Sequence, residues 1–408
     1  MTFEIRPHAE DEMELFRATV YRGFGGHPSA DPEALRQYRE RGDISRTLAA
    51  FDDDEIVGTA NSFLWDMTLP GGDMVPSAAV SAVTVSASHR RRGIFTSMMR
   101  RLLDDAHERD EPCAILWASE SIIYGRFGYG MAIQHEHWSI ETRHRTFASQ
   151  PPTPGRVRFV TPEEAKRLFP GPWERERHRR PGMTNRSDVL WESRLYDPEH
   201  ERWGGFGGYF HAVYEQDGSV DGYVLYRRKW EEQPGAGATL RIVELVTATD
   251  AAYAALWRFC LEMDLVGKVE ADRPVGEPLW WMLADPRRLR RIPFDAIWLR
   301  ILDVPEMLTR RRYAAPGKLV LQVEDDFCPW AAGRYELDGG PDGARCQSTN
   351  TEPDISLSTA ELAAISLGGA KLAPMARAAR VEEHTAGSLA RADAMFAADP
   401  PPWCPQGF

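Results

Sequence analysis

The stretch from Val80 to Met131 limits what this chain can fold into more than any other part of it. An apolar run, Val80-Ser-Ala-Val-Thr-Val85, leads into Ser88-His-Arg-Arg-Arg-Gly93, where helical periodicity begins. Ile94, Met98, Leu102 and Ala106 share one face, flanked by Phe95, Met99 and Leu103. Arg100, Arg101, Asp104, Asp105 and Glu108 fall opposite, which predicts an amphipathic helix packed on a sheet. The first turn of a helix leaves backbone N–H groups unpaired and carries partial positive charge. Gly93 lets a ligand approach the backbone, and Arg90, Arg91 and Arg92 supply forked donors for phosphate oxygens. A second strand, Ala114-Ile-Leu-Trp-Ala118, follows, and Tyr124-Gly-Arg-Phe-Gly-Tyr-Gly130 closes the unit. Strand, basic loop and helix in this order suit a pyrophosphate, although three arginines alone would equally suit a solvated helix start.

At 408 residues the chain exceeds one ordinary core and predicts two or three domains. The net charge of −12 argues against bulk nucleic acid and would favour cationic substrates. No run of about twenty apolar residues predicts a membrane span, and Met1-Thr-Phe-Glu-Ile-Arg lacks a secretory pattern. The cysteines, Cys113, Cys260, Cys328, Cys346 and Cys404, are scattered without a Cys-x-x-Cys pair. Free thiols in a cytoplasmic protein, without structural zinc, are expected. His135 and His137 share a strand face but find no third ligand, and Asp52-Asp-Asp54-Glu55 reads as a solvated turn.

Three segments emerge. The first runs to about residue 150, with helices over Glu12–Val20 and Asp31–Arg41, a hairpin at Leu48–Asn61 and a turn at Pro70-Gly71-Gly72. Gln150-Pro-Pro-Thr-Pro-Gly155 reads as a linker. In the second, a hairpin around Asp217-Gly218 precedes a strand, Arg241–Thr247, and a helix from Asp250 to Met263. This strand and helix echo Val80–Leu103, but Ala248-Thr249-Asp250-Ala251 stands where the first copy has arginines. Asp250 suits a helix cap and would repel a pyrophosphate. The third segment begins near Trp298 with strands and ends in helices over Thr359–Leu367, Pro374–Arg380 and Ser388–Phe396.

The order strand, Arg90-x-x-Gly93, helix, strand and Tyr124 resembles the acetyl-coenzyme A site of GNAT N-acetyltransferases, whose loop reads Arg/Gln-x-x-Gly-x-Gly/Ala. Phe95 departs from the last small position. Joined to Tyr-Gly-Arg-Phe-Gly-Tyr-Gly, the loop is similar to that of the Eis family of bacterial acetyltransferases, which also end in phenylalanine. Length and segment order agree with that family over nearly the whole chain. The resemblance implies an α/β (mixed α+β) fold, with tandem GNAT-like domains followed by a sterol-carrier-like α+β domain. The first domain, residues 1–150, would bind acetyl-coenzyme A; the second, 151–292, would lack a cofactor loop; the third, 293–408, would deliver the terminal carboxylate to the active site. Helices of that third domain could line a lipid pocket, but stripes at helical spacing are ordinarily packing.

Transfer of acetyl to an amine needs a held thioester, a neutral amine and a proton for the departing thiolate. By resemblance, Val83, Thr84 and Val85 offer main-chain bonds to the pantetheine arm. Arg91, Arg92, Gly93 and Thr96 would meet the pyrophosphate, Arg90, Ile94 and Phe95 would complete the cofactor-binding set, and Ser119 would orient the thioester. Tyr124 is the candidate general acid, with Tyr129 its rival; a phenol of pKa about 10 stays protonated and can serve a thiolate near 8.5. Trp117 departs from the histidine expected there. The carboxylate of Phe408 is the candidate base, carried by a tail that Pro400, Pro401, Pro402 and Pro405 stiffen and Trp403 anchors. No metal is expected. The partners implied are a small-molecule amine of aminoglycoside or related type and further copies of the chain in a homohexamer, with neither nucleic acid nor membrane. Val20-Tyr-Arg-Gly-Phe-Gly-Gly26 offers no acid to a polycationic acceptor. Rival readings are a lysine acetyltransferase acting on proteins and a lipid carrier with an unused acyl site.

Overall fold

The computed structural model describes residues 3–149, 151–202, 204–233, 235 and 237–408. Gln150, the first residue of the expected linker, lies outside them. Two compact units do not follow chain order: Met1–Ile133, Pro181–Asn185 and Asp295–Phe408 form one, Gln134–Arg180 and Arg186–Phe294 the other.

The first unit is built on a seven-stranded sheet in the order Glu4–Arg6, Thr47–Asp52, Glu55–Thr68, Met74–Val85, Cys113–Trp117, Ile297–Ile301 and Gly130–Met131. The amphipathic helix expected after Gly93 spans Ile94–Glu108. It buries Ile94, Met98, Met99, Leu102, Leu103 and Ala106, part of them against Ala78, Val80, Ala114 and Leu116 of the sheet. Met74–Val85, the cleft strand, is parallel to Cys113–Trp117 but pairs with it only from Ser77 to Ala79. Beyond Ala79 the two strands part.

Sequence reading opens the third segment near Trp298. The structure instead seats Ile297–Ile301 in the first sheet, Ile297 opposite Trp117 and Ile301 opposite Cys113. Conversely Gln134–Glu141 joins the second sheet beside Val266–Pro274. Hydrophobic pattern predicts a strand but not its sheet, because pairing partners so distant in sequence leave no local trace.

A five-stranded sheet completes the first unit, ordered Gly343–Ser348, Gly333–Gly340, Gly317–Glu324, Ile355–Ser358 and Val381–Glu383. Its helix Thr359–Ser366 is buried throughout and packs on the first sheet. A Cβ at Gly130 would lie 1.8 Å from the Ala360 carbonyl oxygen, so the last glycine of the tyrosine motif serves this packing. Beside it, Arg300 of the first sheet reaches Asp325 at 2.6 Å and donates to Thr359 Oγ1 at 2.7 Å. The Thr359 hydroxyl donates to the same Asp325 at 2.9 Å. All three side chains are buried.

The second unit carries the echo of the cradle. The strand Ala238–Thr247 runs parallel to Val266–Pro274 from Ala238 to Ile242, and a helix follows over Asp250–Leu261. Its cap is Thr249 rather than Asp250: Thr249 has extended backbone and its hydroxyl accepts from Ala252 N–H, while Asp250 is already helical. Past Ile242 a buried guanidinium takes the strand's free edge. Arg273 Nη1 donates to the Leu245 carbonyl at 2.6 Å, and its other nitrogens meet Glu277 at 2.8 and 2.5 Å.

Removing one partner of a buried ion pair leaves the other charge uncompensated, at a cost of about 3–5 kcal/mol. Asp325→Ala is therefore expected to lower the denaturation midpoint markedly, and Thr359→Val, which removes the hydroxyl's two bonds but leaves the ion pair of Arg300 and Asp325 in place, to lower it less. Guanidinium titrations of both variants check the order.

Candidate active site

Where the cleft strand leaves its neighbour, a bulge turns its backbone. The register against Glu55–Thr68 shifts between Thr59 and Asn61, and Ala82 adopts φ 55°, in the left-handed region. Thr59 locks this shape. Its hydroxyl donates to the Ala82 carbonyl at 2.8 Å and lies 2.8 Å from the Thr84 hydroxyl. The single Thr59 proton goes to the carbonyl, so Thr84 is the donor between the hydroxyls. Val80–Val85 thus lies at an opened edge, where main-chain groups can pair with an extended ligand.

A cavity of about 580 Å³ follows this edge to the helix start. It takes Val83, Thr84, Val85, Arg90, Arg91, Gly93, Ile94, Phe95, Thr96, Ser119 and Tyr124, all named from sequence. Arg92 does not line it: that guanidinium lies 4.7 Å from the Phe3 ring centroid and 3.7 Å from Asp52. The helix start fits a pyrophosphate. Arg91 and Gly93 are left-handed, at φ 62° and 84°, and a Cβ on Gly93 would meet no atom within 4 Å. A ligand can therefore reach the unpaired N–H groups of the first helical turn. Phe95, large where the resemblance expects a small residue, packs against Phe127, with ring centroids 5.3 Å apart, and against Tyr124 at 6.1 Å.

A second cavity, about 400 Å³, shares Phe24, Val83, Ser119 and Tyr124 with the first. Tyr124 stands at the junction. Burial pushes its phenol above the ordinary value, while a hydrogen bond with Ser119 opposes the shift. Its rival Tyr129 is buried away from both cavities, with its hydroxyl 3.9 Å from Met99 Sδ.

Phe408 lines the second cavity, its ring edge-on to Trp65 with centroids 4.8 Å apart. The expected docking of the tail has specific fastenings. Trp403 N–H donates to the Pro181 carbonyl at 2.9 Å, and Trp117 Nε1 donates to the Gln406 carbonyl at 3.0 Å. An indole N–H at position 117 thus holds the tail beside the cavity. The stretch Val20–Gly26, read from sequence as the acceptor region, supplies Val20, Tyr21 and Phe24, whereas sequence reasoning missed Tyr38, Arg41, Asn61 and Phe63 in this lining. The missed residues come from the helix Pro32–Arg41 and the strand Glu55–Thr68, which only folding brings together, and no spacing marks them.

Elsewhere, burial drives the His135 imidazole down to about 4, leaving it neutral at pH 7, and His137 rests 2.8 Å from Asp272. No group of three or more His, Cys, Asp or Glu that could hold a metal occurs among the described residues. All five cysteines are buried and free. No helix among the described residues is long and apolar enough to cross a membrane.

An opened pair of parallel strands feeding an arginine-headed helix defines a GNAT-type N-acetyltransferase. Acetyltransferase (GNAT) domain families match residues 4–132 and 182–301, and the sterol carrier protein domain family matches 304–405. The chain is 39% identical to the uncharacterized N-acetyltransferase SCO2625 of Streptomyces coelicolor, with 100% of both chains covered. It is 33% identical to the N-acetyltransferase Eis of Mycobacterium tuberculosis over 98% of each. The crystal structure of Eis1 from Mycobacterium abscessus aligns with a TM-score of 0.86 at 30% identity, covering 99% of this chain and 100% of that one. The chain belongs to the Eis family of GNAT N-acetyltransferases.

If the bulge shapes the thioester edge, its lock should matter to binding. Thr59→Val keeps the shape but removes both hydroxyl contacts, and a buried group left unpaired costs about 1–3 kcal/mol. The expected outcome is a raised KM for acetyl-coenzyme A with the melting temperature only modestly lowered.

Proposed function

We propose that the chain transfers the acetyl group of acetyl-coenzyme A to a small primary amine by direct attack in a ternary complex. The observation that carries this is the position of Tyr124, a buried phenol where the two cavities meet. Acetyl-coenzyme A supplies the activated acetyl group as a thioester. Arg90, Arg91 and the helix start at Gly93 hold its pyrophosphate, and the main chain of Val83 and Val85 aligns its arm beside Ser119. The amine enters through the second cavity. Tyr124 gives its proton to the departing sulfur, and its raised pKa keeps that proton in place across neutral and moderately alkaline pH.

The amine's own proton is assigned to the carboxylate of Phe408, directly or through a water. Its place on the acceptor cavity and the bond from Trp117 to Gln406 support the assignment. In the second GNAT domain Arg273 and Glu277 fill the matching strand edge, which supports a framework role without acetyl-coenzyme A. Family membership supports extending the proposal to a cytoplasmic homohexamer.

Calorimetry with acetyl-coenzyme A tests the reading at its base. Wild type should bind one equivalent and Arg91→Glu far more weakly; no binding by wild type overturns the enzyme reading and leaves the carrier. Tyr124→Phe should keep cofactor affinity and lose ~10²–10⁴-fold in turnover. In wild type, kcat should not decline with rising pH until beyond the ordinary phenol range of about 10. Near-normal turnover of the Phe variant with chemistry rate-limiting removes the acid role.

The base has its own test. A short peptide added after Phe408 replaces the carboxylate with an amide and should nearly abolish turnover, with folding and cofactor binding retained. Full turnover in the extended chain would make the tail an anchor only.

A further inference from the structure

The acceptor cavity has an unusual charge for an enzyme of amines. No aspartate or glutamate side chain lines it, and its one charged side chain is Arg41, near the end of the helix Pro32–Arg41. Tyr38 and Tyr21 lie close enough to act on this guanidinium electrostatically, the Phe63 ring centroid is 5.5 Å away, and Trp117 lines the same cavity. Arg41 forms no ion pair among the described residues, and its buried Nε has no hydrogen-bond partner. Enclosure without a counter-ion disfavours the charged form, so the Arg41 pKa is lowered by burial. A guanidinium held this way can be stabilised by an anionic ligand group, since buried charges ordinarily have partners.

Resting on the acetyltransferase reading above, we propose that the acceptor is an amine with an aromatic or apolar body and an anionic group, such as a carboxylate, that pairs with Arg41. The volume of about 400 Å³ suits one such small molecule. Its amine lies toward Tyr124 and Ser119, and its anion completes the Arg41 fork. Tyrosine and tryptophan rings provide flat walls for the body. The terminal carboxylate of Phe408, assigned above to the base role, is the one anionic group on this cavity; beyond it a polycation finds no side-chain carboxylate and meets the positive charge of Arg41.

Three matched amines decide the matter, with thiol release as the rate assay: 4-(aminomethyl)benzoate, benzylamine and 1,4-bis(aminomethyl)benzene. Wild type should show kcat/KM for the acid-bearing amine at least about tenfold above benzylamine, with the diamine lowest. Arg41→Gln should erase the advantage of the acid, Arg41→Lys should retain part of it, and Arg41→Glu should reverse the order in favour of the diamine. Arg39→Gln, on the exposed part of the same helix, should keep the wild-type order. Equal preference in wild type, preference for the diamine, or an order unchanged in Arg41→Glu overturns the inference. Binding is read in parallel by calorimetry on protein saturated with coenzyme A, and failure of the acid-bearing amine to bind or react also overturns it. Loss of acetyl-coenzyme A binding itself is a different failure, that of the enzyme reading. Melting curves identify any variant that has not folded, for which Arg41→Lys remains the informative substitution.

Discussion

Everything functional in the first unit depends on two parallel strands that stop pairing. Met74–Val85 and Cys113–Trp117 share only three registered residue pairs, Ser77–Ala79 with Cys113–Ile115. An unpaired strand edge inside a protein is costly unless something completes it. Here the bulge at Ala82, held by Thr59, and the opened edge from Val80 to Val85 leave main-chain groups that an extended ligand can complete. The helix start at Gly93 lies at one end of the same opening and Tyr124 beside it. The pyrophosphate binding, arm alignment and proton delivery proposed above would all follow from a single divergence in the sheet.

The second unit shows the same divergence answered differently. Its strand edge is closed from within, by Arg273 bonded to the Leu245 carbonyl and neutralised by Glu277. The second edge is thus met by the protein's own side chains, where the first stays open to the ligand proposed above. A deeper pair of charges supports the same region. Burial opposes ionisation of Glu244, yet Arg186 and Arg194 hold its carboxyl at about 2, and Arg186 binds it through two bonds of 3.0 Å. The carboxylate at this depth is structural, and its charge is spent on arginines of its own unit.

The third domain acts on the site through contact with the first sheet. The triangle of Arg300, Asp325 and Thr359 fastens its helix to a strand of that sheet, and Gly130 permits the close approach. The tail then reaches the second cavity, where Trp117 holds the Gln406 carbonyl and Trp65 meets the Phe408 ring. Position 117 also explains why a tryptophan can replace the expected histidine: the ring nitrogen serves the tail as a donor.

The sequence by itself determined the features written in neighbouring residues. The amphipathic helix at Ile94–Glu108, the loop from Arg90 to Thr96, the hairpin turn at Asp217-Gly218 and the candidate tyrosine are all local, because periodicity, turn chemistry and capping act over a few residues. Tertiary structure decided what depends on distant partners. It placed Ile297–Ile301 in the first sheet and Gln134–Glu141 in the second. It turned Arg92 toward Phe3 and Asp52 while leaving Arg90 and Arg91 on the cavity, which three adjacent arginines cannot reveal. It separated Tyr124 from Tyr129 by position rather than by chemistry. Arg41 lies about fifty residues before the arginine loop in sequence. Only folding brings it, without an ion-pair partner among the described residues, to the wall of the second cavity.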